Sequence, residues 1–64
     1  MIKFIRVEAE EYISLDERFH IIKVWDRINL IHWQLRDYTF NKTYVCYSLK
    51  HCKQIANKII NNLL

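Results

Sequence analysis

The sequence predicts an α+β domain, a small antiparallel β-sheet of three to five short strands packed on one C-terminal amphipathic helix. Three observations lead there. One stretch, from Ser48 onward, carries apolar residues at the three-and-four spacing of a single helical stripe. Everything before it is a series of short runs rich in Ile, Val, Phe, Tyr and Trp, the residues that suit a pleated surface. Those runs are punctuated by Asp, Asn and Ser in a chain that has no glycine and no proline, so its turns must rely on side chains that bond their own backbone.

In chain order, "IKFIRV" predicts a first strand at about 2–7, and the charges of "EAEE" (Glu8 to Glu11) suit a solvated loop or an edge strand. A second strand is expected at about 11–15 and closes on a turn at "DER", Asp16 to Arg18. The third and fourth, at about 19–25 and 30–36, flank "DRIN" (Asp26 to Asn29), which reads as a hairpin turn. "DYTFNK", Asp37 to Lys42, leads into a fifth strand at about 43–47. The helix, at about 49–63, follows Ser48, whose hydroxyl can accept a hydrogen bond from a free amide of the first turn. Its stripe is Leu49, Cys52, Ile55, Ala56, Ile59, Ile60 and Leu63, with Lys50, His51, Lys53, Gln54, Asn57, Lys58, Asn61 and Asn62 opposite.

A two- or four-residue loop at "DRIN" pairs Lys23 with His32 and Ile22 with Trp33, which fixes the faces. Ile22, Val24, Ile31, Trp33 and Leu35 then line the seat of the helix. Phe19, Ile21, Lys23, Trp25, Leu30, His32, Gln34 and Arg36 line the other side. An even loop through "DYTFNK" adds Tyr44 and Cys46 to the seat, and Val45 and Tyr47 to the outer face. A two-residue turn at Asp16 and Glu17 puts Ile13 and Leu15 inside, and any odd loop reverses the strand beyond it. The outer face so drawn mixes aromatic and basic groups. Either the N-terminal stretch covers it, or it is free to bind.

Composition limits the function. At 64 residues the chain is one domain with a small core and little room for an enclosed active site. A hydrophobic share of 52% against 27% charged separates it from disordered sequences. No apolar run is long enough to span a bilayer and the first residues lack a signal-peptide pattern, so no membrane is expected and the location predicted is the cytoplasm. Six basic residues stand against seven acidic ones up to Asp37, a balance of −1, whereas Tyr38 to Leu64 holds Lys42, Lys50, Lys53 and Lys58 with no acid, a balance of +4. Those lysines are candidates for contact with nucleic acid or an acidic protein surface.

Cys46, His51 and Cys52 lack the spacings of a zinc site, and adjacent helix positions diverge by about 100°. The cysteines read as two buried thiols, although a disulfide between them is geometrically open. A chain without glycine has no phosphate-cradling glycine loop, and nothing builds a pocket for a nucleophile or carboxylate pair. The expectation is a protein that is not an enzyme and carries no metal or cofactor.

The order of "ERFHIIKVWDRINLIHWQLRD", "TYVCY" and "SLKHCKQIANKI" resembles small proteins of bacteriophages and mobile elements that fold as a three-stranded sheet followed by a helix. In format it is similar to the arm-binding domains of some transposon integrases, themselves similar to the plant AP2 domain, which lay a sheet in the DNA major groove. It is also similar in format to the anti-CRISPR proteins, small phage proteins that disable a host nuclease complex by binding it. Its strands hold Asp26 and Asp37 and lack the glycines and dense arginines of the DNA-binding group. The resemblance implies a non-catalytic inhibitor in the cytoplasm of a host cell that meets a host protein or ribonucleoprotein complex. The outer face drawn above supplies the expected contact residues Phe19, Lys23, Trp25, His32, Gln34, Arg36 and Tyr47, with Trp25 as anchor. DNA binding through the same face, and self-association, are the alternatives.

Overall fold

The computed structural model describes residues 2–25 and 31–61. The strands are β1 (Phe4–Glu8), β2 (Glu11–Ser14), β3 (Phe19–Val24), β4 (His32–Asp37) and β5 (Lys42–Cys46), and the helix is α1 (Leu49–Ile60). The five strands form one antiparallel sheet in chain order, β1-β2-β3-β4-β5, with α1 against a single face. This is the α+β class read from the sequence. The "DRIN" turn, Leu30, Asn62 and Leu63 lie outside the described residues.

The core sits between α1 and the sheet. Phe19 and Ile21 of β3, Leu35 of β4, Cys46 of β5, and Cys52 and Ala56 of α1 are buried there, with Ile2, Phe4, Tyr12, Trp33, Tyr44, Leu49, Ile55 and Ile59 packed around them. Small side chains at 52 and 56 bring the helix close to the strands, while the longer 49, 55 and 59 spread across the sheet. Ser48 caps the helix as expected, its Oγ accepting the His51 amide at 3.1 Å.

One expectation is overturned, and it is a matter of register. β3 and β4 pair Phe19 with Asp37, Ile21 with Leu35 and Lys23 with Trp33. The connection from Val24 to His32, residues 25–31, therefore holds an odd number of residues rather than two or four. Trp33, Leu35, Tyr44 and Cys46 keep their predicted side under the helix, but β3 turns over. Phe19 and Ile21 enter the core, and Ile22 and Val24 face away from the helix. The cause lies in β3 itself, which is apolar on both faces, so alternation does not choose between them. Phe19 is the larger payload, and Ser14 Oγ accepts its amide at 2.9 Å within the buried layer.

The predicted even turn at Asp16 and Glu17 does form, with Ile13 opposite His20. Because β3 is reversed, Ile13 lies on the helix-free face and Leu15 is exposed. Ser14 Oγ and the Arg18 amide both bond Asp16 Oδ1, at 2.6 and 3.1 Å, and Glu17 takes a positive φ of 62°. Asn41 does the same in the β4–β5 turn, with φ 54°. The N-terminal stretch does not fold over the outer face. It pairs with β2 as the edge strand, sends Ile2 and Phe4 under the helix, and is tied to α1 by the Ile2 amide on Asn57 Oδ1 at 3.2 Å.

Candidate functional site

A five-stranded sheet with one helix has a second face, and here that face has no layer over it among the described residues. Register places Ile5, Ile13, Ile22, Val24 and Val45 on it, together with His20, His32, Gln34, Arg36 and Thr43. Ile5, Val45, Arg36 and Thr43 are exposed, and the others are half-buried by their neighbours. Across its centre His20 Nε2 meets Glu11 Oε2 at 2.5 Å, and the Tyr38 ring stacks on the His20 ring at 6.5 Å. His20 Nδ1 is buried with no hydrogen-bond partner among the described residues. The result is an aliphatic floor crossed by a polar line.

The residues expected to form one constellation are divided by the reversal of β3. His32, Gln34 and Arg36 lie together on the open face as expected. Phe19, expected there, is fully buried under the helix instead. Lys23, also expected there, points to the helix side, where its Nζ lies 5.2 Å from the Trp25 ring centre and 5.8 Å from that of Trp33. Glu10, in the β1–β2 turn, holds this corner by accepting from Lys23 Nζ at 3.4 Å and from Trp25 Nε1 at 3.2 Å. Trp25 is thus 66% exposed but pinned at the rim of the helix side rather than set in the outer face. Tyr47, 91% exposed, stacks on His51 of α1 at 5.3 Å.

The lysines do not converge either. Lys42 begins β5, Lys50 and Lys58 are exposed on the helix, and Lys53 lies over the rings of Phe4 and Tyr12 at 5.9 and 5.6 Å. Arg36 is the arginine that register places on the open face among the described residues. Its neighbour on the other side of the strand, Asp37, is buried and taken by Arg18 through two hydrogen bonds of 3.0 and 3.1 Å. Burial pushes the Asp37 carboxyl up, but the Arg18 and Thr39 hydrogen bonds outweigh it and hold the group below its ordinary value. The carboxylate that the sequence set against a nucleic-acid surface is therefore neutralised inside the fold.

Ile5, Ile13, Ile22 and Val24 were not among the residues singled out from sequence. A signal for them existed. A strand apolar on both faces, in a chain whose sequence predicts one helix to cover it, leaves one apolar face bare whichever way it turns. Among the described residues no group of three His, Cys, Asp or Glu side chains is placed to hold a metal ion, and no helix is long and apolar enough to cross a membrane.

Fold and face together define a small α+β domain with one packed and one open sheet surface. No family model, curated protein or solved structure matches the chain.

Proposed function

We propose that this chain is a non-catalytic binding module that meets a partner protein through the open face of its sheet. The observation that carries the reading is the composition of that face, in which five aliphatic side chains surround an arginine, a glutamine and histidines with no covering layer among the described residues. An exposed apolar patch rimmed by polar residues marks an interaction site, and arginine is enriched in protein interfaces.

Protein is favoured over DNA by charge. A sheet that lies on phosphates needs several cations along it. This one has Arg36, while Lys50, Lys53 and Lys58 sit on the helix, Lys42 at the start of β5 and Lys23 on the helix side of β3. The biological form we propose is a phage-type inhibitor of a host defence nuclease complex, for which a small non-enzymatic binder is sufficient.

The test is capture of partners from host lysate by the wild type and by the double variant Ile5→Ser, Arg36→Ala, with and without nuclease treatment. Both substitutions are at exposed positions and should leave stability within about 0.5 kcal/mol. Nuclease-resistant capture that is lost in the double variant supports the reading. Capture abolished by nuclease, or falling steeply with salt, would give the face to nucleic acid. Expression in a host with an active nuclease defence, scored by phage plaques, then tests the inhibitor role.

A further inference from the structure

The two edges of the sheet are not alike. Backbone direction can be followed strand by strand from the bond of the Lys23 amide to the Glu10 carbonyl, 3.1 Å. In an antiparallel ladder alternate residues turn their N–H and C=O to the same side. That bond therefore turns Phe19, Ile21 and Lys23 toward β2, and His20, Ile22 and Val24 toward β4. Carried across the register, His32, Gln34 and Arg36 face β3, and Trp33, Leu35 and Asp37 face β5. The bond from the Tyr38 amide to the Arg18 carbonyl, 2.9 Å, falls in the same phase. In β5, then, Lys42, Tyr44 and Cys46 bond β4, while Thr43 and Val45 present their amides and carbonyls outward. No described residue bonds those outward groups.

Natural sheets blunt such edges with bulges and charges. β1 does so. Its pairing shifts at a bulge between Arg6 and Glu8, and the Arg6 guanidinium donates to the Glu8 carbonyl at 3.3 Å. β5 is regular, with exposed Thr43 and with Val45 at 65% exposure. Its end is marked where His51 Nδ1 accepts the Tyr47 amide at 3.1 Å.

We infer that the outer edge of β5 is a docking site for an extended acidic segment of a partner protein, which adds to the sheet as a further strand. Charge selects this occupant. Lys42 begins the strand, and Lys50 stands on the first turn of α1 just beyond it. From Tyr38 to Leu64 there is no acidic residue, and Asp37 is already bound to Arg18. A second copy adding through the same edge would set one lysine-bearing half against another, which like charge disfavours. An added strand draws affinity from main-chain bonds and specificity from alternate side chains. The inference rests on the reading of the chain as a protein-binding module but uses the edge, not the floor, of the open face.

The experiment is a titration of the ¹⁵N-labelled full chain with a short peptide alternating threonine and glutamate, and with its lysine counterpart. The glutamate peptide should shift the Thr43 and Val45 amides most and slow their hydrogen exchange, and the lysine peptide should not bind. Val45→Pro removes an outward amide without touching the β4 ladder and should weaken binding about tenfold or more. Val45→Thr, which keeps the amide, should bind within about twofold of wild type. Should Val45→Pro fail to fold, Lys42→Glu with Lys50→Glu serves in its place and should abolish binding.

Equal binding of both peptides, shifts centred elsewhere, or indifference to these variants overturns the inference. So does a concentration-dependent dimer broken by Val45→Pro, which would make the occupant a second copy. The double variant Ile5→Ser, Arg36→Ala keeps the edge amides. Loss of captured partner in that variant, with no binding of the glutamate peptide to wild type, would refute the edge and leave the open face standing.

Discussion

Arg18 and Asp37 offer the sharpest test of how the fold is held. The Asp37 side chain is 0% exposed and that of Arg18 is 21% exposed, and the guanidinium meets the carboxylate as a fork, Nε to Oδ1 and Nη2 to Oδ2. Replacing Arg18 by Met keeps an apolar stem over Phe19 and Phe40, whose ring centres lie 4.9 and 5.2 Å from the guanidinium carbon. It leaves the carboxylate buried with the Thr39 amide as a remaining partner. Removing one member of a buried pair usually costs 3–5 kcal/mol, and the partial exposure of Arg18 with that surviving amide places this case at about 3 kcal/mol. Against a stability near 5 kcal/mol for a domain this small, most of the margin would go.

Urea unfolding at two pH values reads the effect and its cause. In the wild type the Asp37 carboxyl is held below its ordinary value of 3.8, so its contribution is complete above that value and is lost as pH falls through the folded one. In Arg18→Met the upward push of burial is no longer outweighed by the guanidinium. The charged form then destabilises at neutral pH, and protonation relieves it. The gap between variant and wild type should therefore narrow from pH 7 to about pH 3. Adding Asp37→Asn to Arg18→Met should recover part of the loss at pH 7. A loss below about 1 kcal/mol at pH 7, the size expected of a surface pair, or a gap that stays constant with pH, would refute the reasoning.

Phe19→Ala should cost about 3–5 kcal/mol and leave the domain largely unfolded by circular dichroism, whereas Trp25→Ala should cost under about 1 kcal/mol because the ring is mostly in solvent. Ser48→Ala should lower stability by about 1 kcal/mol in urea, through loss of the bond to the His51 amide. The Cys46 and Cys52 thiols, buried against each other and pushed above the ordinary thiol value mainly by burial, should be inert to a thiol reagent at pH 8 while folded and react fully in guanidinium.

The helix, its cap and the alternation of β4 and β5 were legible in the sequence, because each is a local pattern with one apolar side. β3 was not. Phe19 and Ile21 on one face and Ile22 and Val24 on the other are nearly equal claims on the core, and a connection one residue different in length decides between them. The reversal extends to β2, which keeps its predicted turn and is carried to the other face with β3. It also divides the candidate site, because Phe19 and Lys23 share a face with His32, Gln34 and Arg36 only in the even-loop register. The Glu10 clamp on Trp25 joins residues fifteen positions apart, and no periodicity within one segment could have announced it.

The absence of glycine acts on the state that is not folded. A glycine-free chain samples fewer backbone conformations when disordered, so folding forfeits less entropy along its whole length. Among the described residues the counterpart is concentrated at Glu17 and Asn41, which hold left-handed backbone that glycine would adopt without steric conflict. Asparagine tolerates that conformation, and glutamate does so poorly. A diffuse advantage in the disordered ensemble is thus set against a local strain at Glu17, and both β-turns are stiffer hinges than glycine would make them.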